Sequence, residues 1–413
     1  MKRNVIYKKM LLCGLFATVF LNLVYFFWCS TCAISLQLSE NQLLGGNEIR
    51  MPAERVLSTA KEDEHPAACE DSFAETAESL AEIAEDALPK EETALHSEAY
   101  TNKIRVMEFL ESIYQKQTLS GQHTSPDMAE VKAVCSVTGK KPALLEFDFM
   151  DCSPSRIERG ASGIDLEPVI SWWEEGGLVA FCWHWNAPSG LIDKRPDKQW
   201  YRGFYTETTT FDFAKGVNDT QSEEYELLIR DIDAIAEELK TLKEAGVPVL
   251  WRPLHEASGG WFWWGSKGPR AYLKLWKLMY ERLTVYQQLD NLIWVWNGED
   301  PYWYPGDDTT DIVGIDFYGP KHDYSPREEE FKKALSYTCG EKMVALTETG
   351  VIPDPDLMIK RGTMWLWYCA WSDELVLAGD HKSYSEKYTE CGMLKKVYGH
   401  ESVITKDELP PFR

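Results

Sequence analysis

The segment Pro248–Gly265, PVLWRPLHEASGGWFWWG, decides how the rest of the chain is read. Its first half, Pro248 to Leu254, is a short apolar run of the kind a strand buried on both faces requires. The predicted strand runs on to Glu256 and delivers Arg252, His255 and Glu256 at its end. Two glycines then open a loop in which Trp261, Trp263 and Trp264 are expected to lie as flat, accessible surfaces. Exposed aromatic area beside a carboxylate is unfavourable in water unless something flat packs on it.

Seven other segments share the character of that strand: Thr118–His123, Pro142–Phe149, Gly177–Trp185, Leu292–Asn297, Asp311–Tyr318, Met343–Glu348 and Trp365–Trp371. Eight near-continuous apolar strands are what a closed parallel barrel needs. Helical patterns alternate with them. Ser222–Ala245 sets Leu227, Leu228, Ile232, Ile235, Leu239 and Leu242 on one stripe behind a serine cap and before Gly246. Pro269–Gln288 repeats the pattern, and weaker helices are predicted at Asn102–Gln117, Pro126–Thr138, Glu167–Glu175, Pro326–Ser336 and Ser385–Val397. The predicted architecture over residues 100–413 is therefore a (β/α)8 barrel, a TIM barrel, with a doubly wound open sheet as the alternative.

The first hundred residues differ in kind. Lys2, Arg3, Lys8 and Lys9 precede an apolar run from Met10 to about Ile34, which marks an exported chain. Residues 1–35 are read as a signal peptide cut near Thr31-Cys32-Ala33, or as an uncleaved anchor, since roughly 20 apolar residues span a bilayer. A secreted or cell-surface location follows, with residues 10–34 as the only membrane contact. Residues 36–99 are acidic and low in complexity, with Arg50, Arg55, Lys61 and Lys90 as the only Lys or Arg from Glu40 to Glu98. Such a stretch buries too little apolar surface to fold and reads as a disordered linker. The formal charge of −23 argues against nucleic acid as a partner, and a monomer is expected. Cys135, Cys152, Cys182, Cys339, Cys369 and Cys391 include no CxxC pair, so metal-ligand spacing is absent. Most of these thiols are expected to be buried, with room for one or two disulfides.

In a barrel the chemistry sits at the C-terminal strand ends. Read in order, these carry Gln122-His123, Asp148 with Asp151, His184, Arg252 with His255 and Glu256, Trp296-Asn297, Asp316 with Tyr318, Glu348, and Trp371. Glutamates on the fourth and seventh strands face each other across the mouth. Glycoside hydrolysis needs such a pair, about 5 to 5.5 Å apart when configuration is retained, one group protonating the leaving oxygen and the other attacking. A sugar ring would also explain the tryptophans. An isolated strand-end glutamate is more often a plain surface or ion-paired group, but Arg252, His255 and the aromatics set Glu256 apart. The hydroxyls of Thr347 and Thr349 suit a fixed carboxylate at Glu348. Zinc-peptidase chemistry is excluded, because HExxH needs histidine where Gly259 stands.

The chain resembles family 26 of the glycoside hydrolases, best known as endo-β-1,4-mannanases. The resemblance rests on WRPLHEASGGWFWWG, SGQH near Ser120, FCWHW at 181–185, VGIDFYGP at 313–320, ALTETG at 345–350 and VITKDELP at 403–410. It implies a (β/α)8 barrel, a retaining mechanism without metal or organic cofactor, and a β-mannan-type polysaccharide as substrate. Position by position it puts the acid/base on Glu256 and the nucleophile on Glu348. Substrate contacts fall on His184, His255, Trp261, Tyr318 and Trp371, with Arg252 supporting the nucleophile, and Asp148 at its strand end is taken as a further substrate contact. Lichenase or xylanase activity is the alternative within the family. A non-catalytic surface glycan-binding protein is the alternative outside it, which the presence of both glutamates disfavours.

Overall fold

The computed structural model describes residues 96–413, so the expected leader at 1–35 and nearly all of the linker at 36–99 lie outside the described residues. Eight parallel strands follow one another around a closed barrel: β1 Thr118–His123, β2 Leu144–Asp148, β3 Leu178–Cys182, β4 Val249–Arg252, β5 Leu292–Trp296, β6 Ile312–Phe317, β7 Met343–Thr349 and β8 Trp367–Ala370. Each strand bonds to the next. Closure comes from β8 against β1, with Leu119 opposite Trp367 and Gln122 opposite Ala370. A two-residue strand, β9 (Val403–Ile404), was not anticipated. It pairs with Thr118 and Leu119, while β2 takes Gly121 to His123, so the two share β1 end to end.

The helices hold the barrel from outside. Glu223–Glu244 starts where Ser222 accepts the N–H of Tyr225 at 3.2 Å, and Glu223, Glu224 and Glu226 in its first turn suit the positive end of the helix dipole. Its stripe Leu228, Ile232, Ile235, Leu239 and Leu242 is fully buried. The N-terminal helix begins at Glu98 behind a Ser97 cap, slightly ahead of the predicted Asn102. After β5 no α-helix follows; two 3₁₀ turns, Pro301–Trp303 and Asp307–Thr309, make that crossover. The helix expected over 385–397 is confined to Cys391–Tyr398, and an unpredicted one, Pro355–Arg361, follows β7. Among the described residues no helix is long and apolar enough to cross a membrane.

Trp172, Trp276 and Trp294 are buried as expected of core residues. The room left for one or two disulfides is not used among the described residues: all six cysteines are free, and Cys152, Cys182 and Cys369 pack as small hydrophobes.

Candidate active site

β4 ends at Arg252, short of the predicted Glu256. The chain then turns sharply, with Leu254 and Glu256 both in the left-handed region at φ 52°. That turn carries Glu256 over the barrel mouth. Its N–H is held by Asn297, through the backbone oxygen at 2.7 Å and through Oδ1 at 3.0 Å. Glu348 comes from within β7 itself, and Asp316 stands beside it on β6. One carboxylate oxygen from each of Glu256, Asp316 and Glu348 lies within 4.8 Å of the others.

Beneath them a single guanidinium ties the barrel floor together. Arg252 donates to Glu146 Oε1 at 2.9 Å, to Asp316 Oδ2 at 2.9 Å and to Glu348 Oε1 at 2.6 Å, with all four side chains buried. The second oxygen of Glu348 accepts the Tyr318 hydroxyl. Thr347 donates to Asp316 at 2.6 Å and accepts Asn297 Nδ2–H at 2.8 Å, which joins this cluster to the Glu256 turn.

The two glutamates differ in what touches them. Burial, with Asp316 acting the same way, pushes the Glu256 carboxyl up to about 7; its one donor is the Trp261 indole at 2.8 Å. Burial and Asp316 also push Glu348 upward, and Arg252 opposes them. Burial and the neighbouring Asp316 raise Glu299 to about 8.

The glycine pair after Glu256 has a steric reason. A Cβ at Gly259 would lie 2.1 Å from the Trp261 ring, so glycine there lets the indole fold back onto the carboxylate. Trp261 is 45% exposed and offers a flat face. Trp263 and Trp264 do not, which corrects the expectation of three open rings. They are at most 1% exposed and plug the barrel top, donating to the backbone oxygens of Trp185 at 2.6 Å and His255 at 2.8 Å.

To one side of the glutamates opens a cleft of about 500 Å³, lined in part by His123, Asp148, His184, Phe204, Tyr205 and Trp371. His184 Nδ1–H donates to Asp148 at 2.6 Å, and its Nε2 faces His255 Nε2 at 3.2 Å. Asp148 also accepts the backbone N–H groups of His184 and Met150. Although burial acts against it, these contacts hold the Asp148 carboxyl below its usual range. Both oxygens are thereby committed to holding His184, so a direct sugar contact, expected at its strand end, is not what its geometry favours. Burial lowers His255 far below the ordinary imidazole value, which leaves it neutral. Trp371 stacks on His123 at 3.9 Å and meets His184 edge-on at 5.8 Å.

Of the nine residues given roles from the sequence, Asp148, His184 and Trp371 line the cleft, while Glu256 with Trp261, Glu348 with Arg252 and Tyr318, and His255 with His184 are joined by hydrogen bonds beside it. Asn297 and Asp316 were read as strand-end residues but given no role, and Glu146 and Glu299 were not singled out. Glu146 was findable, because a charged residue two positions before Asp148 in a strand buried on both faces must point inward and needs a cation.

Comparison with known proteins matches this architecture. The profile of Glycosyl hydrolase family 26 matches residues 95–408. A mannan endo-1,4-β-mannosidase of Thermothelomyces thermophilus is 45% identical over 302 residues, 73% of this chain and 60% of that protein. Mannan endo-1,4-β-mannosidase A of a Piromyces species is 35% identical, over 78% of this chain and 51% of its own length. The chain therefore spans little more than half the length of these relatives. Among solved structures, the Podospora anserina GH26-CBM35 β-(1,4)-mannanase superposes with a TM-score of 0.71 at 43% identity, covering 76% of this chain and 67% of its own. A termite-symbiont protist β-mannanase, solved with a gluco-manno-oligosaccharide, gives 0.64 at 32% identity over 74% of this chain and 94% of its own. With the family profile covering most of the chain and a relative this similar, the protein belongs to glycosyl hydrolase family 26.

Proposed function

We propose that the chain is a retaining endo-β-1,4-mannanase that cleaves mannan, glucomannan or galactomannan. The observation that carries the reading is the approach of Glu256 and Glu348, whose nearest oxygens lie within 4.8 Å at the barrel mouth. Retaining glycosidases hold their carboxyls about 5 to 5.5 Å apart, whereas inverting ones need roughly 6.5 to 9.5 Å to seat a water. The names of the relatives support mannan over other polysaccharides.

The environments of the two groups assign their roles. Glu348 accepts a guanidinium N–H and a phenolic O–H, both of which favour the anion, and it acts as the nucleophile. Glu256 has only an indole donor, so the proton the close pair retains stays there, and it acts as the acid. Glu348 attacks the anomeric carbon while Glu256 gives its proton to the departing oxygen. The ester so formed on Glu348 is then broken by a water that Glu256 deprotonates. Tyr318 and Arg252 orient the nucleophile, Trp261 and Trp371 stack on sugar rings, and His184, held by Asp148 and His255, shapes the cleft wall beside them. Export through residues 10–34, with the enzyme at or beyond the cell surface, completes the reading.

The test is release of reducing sugar from mannan, glucomannan, lichenan and xylan in parallel, with product sizes resolved. Mannan or glucomannan turnover to internal fragments is expected, and Glu256→Ala and Glu348→Ala should each lower it by orders of magnitude. A Glu348→Ala variant that keeps most activity would overturn the assignment. Turnover of lichenan or xylan alone would move the substrate to the sister specificities.

A further inference from the structure

Three consecutive residues after β5 brace both halves of the site. Asn297 holds the N–H of Glu256, the Gly298 carbonyl accepts the N–H of Ser258 at 3.3 Å, and Glu299 Oε1 accepts the N–H of Asp316 at 2.9 Å. The last of these bonds fills a gap in the sheet. The β5–β6 ladder stops at Trp296 opposite Val313, and the β6–β7 register shifts between Ile315 and Asp316. At Asp316 a side chain replaces the missing strand, since a buried backbone N–H must find an acceptor. The bracket is also strained. Glu299 sits at φ 63°, a left-handed conformation that costs a non-glycine residue about 1–2 kcal/mol. Just before it, a Cβ at Gly298 would lie 2.7 Å from the Trp296 ring, so the chain passes this point only as glycine. Strain of this kind persists where the surroundings over-determine it and is concentrated at functional sites.

We propose that Glu299 is a positioning residue for the hydrolysis: by clamping the backbone of Asp316 it fixes Arg252, and through Arg252 the attacking oxygen of Glu348. The line of contact is continuous, from Glu299 Oε1 to Asp316 N–H, from Asp316 Oδ2 to Arg252, and from Arg252 to Glu348 Oε1 at 2.6 Å. On its far side Glu299 borders a cavity of about 320 Å³ shared with Glu329, Glu330 and Lys333, so shortening the side chain leaves the Asp316 N–H to water, not to a void. The inference rests on the nucleophile role given to Glu348.

The experiment compares Glu299→Ala, Glu299→Asp and Glu299→Gln by kcat/KM on mannan and on 2,4-dinitrophenyl β-mannobioside, whose leaving group departs without protonation. If Glu299 acts through the nucleophile, Ala and Asp lose about 10-fold to 100-fold on both substrates, while Gln, which keeps the acceptor at the same reach, restores most of the rate. A loss on mannan alone would overturn the proposal, because Glu299 would then act through the Glu256 turn. So would an unchanged Ala variant, or a Gln variant as poor as Ala. Thermal unfolding of each variant is measured alongside, and a rate loss that tracks lost folded protein also overturns it. Glu348→Ala, expected to be inactive on both substrates, keeps the two readings distinguishable: residual activity there would refute the nucleophile role and with it the clamp, whereas unaffected Glu299 variants beside an inactive Glu348→Ala would refute the clamp alone.

Discussion

Replacing Glu256 by glutamine should stabilise the protein, and by an amount that depends on pH. Burial holds the Glu256 carboxyl at about 7 in the native state against an ordinary 4.5, so the folded protein binds this proton more tightly than the unfolded chain does. Below pH 4.5 both states carry the proton and the residue costs nothing electrostatically. As pH rises toward 7 the unfolded state releases its proton first, and native stability is progressively lost. Above pH 7 the full difference is felt, about 3 kcal/mol at the usual conversion of pKa to free energy. Glutamine keeps a carbonyl for the Trp261 N–H and never ionises. For the roughly 320 described residues, an unfolding entropy of about 2 cal/mol/K per residue turns 3 kcal/mol into about 4 to 5 °C. Differential scanning calorimetry of Glu256→Gln and wild type between pH 4 and pH 8 tests this. The variant's Tm should match wild type at pH 4 and exceed it by that margin at pH 8. A Tm difference that does not change with pH, or one that shrinks as pH rises, would refute the claim that the acid is kept protonated at the expense of stability.

The same proton governs the rate. Because Glu256 must be protonated to act as the acid, kcat/KM on mannan should fall as pH rises through about 7. Trp261→Phe removes the one hydrogen bond that favours the Glu256 anion, so it should move that alkaline limb to higher pH in a pH–rate profile. Trp263→Ala should cost about 3 to 5 kcal/mol in urea unfolding, as a plug removed from the barrel top. Trp261→Ala, at an exposed position, should leave stability nearly unchanged and raise KM. Arg252→Ala leaves three buried carboxylates without their cation and should destabilise by about 3 to 5 kcal/mol, read by the same unfolding assay.

Strand existence was legible because burial on both faces writes itself as apolar runs, and all eight segments read from the sequence became strands. Their ends were not. The run PVLWRPLHE was read through to Glu256 although Pro253, which has no N–H for the ladder, stands directly after the last β4 residue; what composition does not encode is the left-handed turn at Leu254 and Glu256 that follows. The tryptophans failed for a related reason: sequence shows that WFWW is aromatic but not which ring faces out, and the reversal at Gly259 and Gly260 turns Trp261 outward and its neighbours inward. The two glutamates proposed as the catalytic pair were readable as neighbours because strand-end position decides their place in a barrel. Glu299 was not, since its contact depends on where the β5–β6 ladder stops, and no residue pattern marks that point.

The cluster around Arg252 makes sense only when stability and chemistry are weighed together. One guanidinium faces Glu146, Asp316 and Glu348, with Glu256 close by, so the buried acids outnumber the cation. For folding alone this is a poor arrangement, because desolvating several carboxyls costs more than a single arginine returns. A glycoside-cleaving transition state, however, develops positive charge at the anomeric carbon and ring oxygen. A fixed excess of negative charge in a water-poor site complements that charge without having to reorganise when it appears. On the proposed mechanism Asp316, which need not touch the sugar, serves the reaction by raising Glu256 toward the pKa its acid role requires. The same carboxylate thus weakens the native state and raises both glutamates, so the division of labour between them rests on the Arg252 and Tyr318 donors that only Glu348 of the two receives.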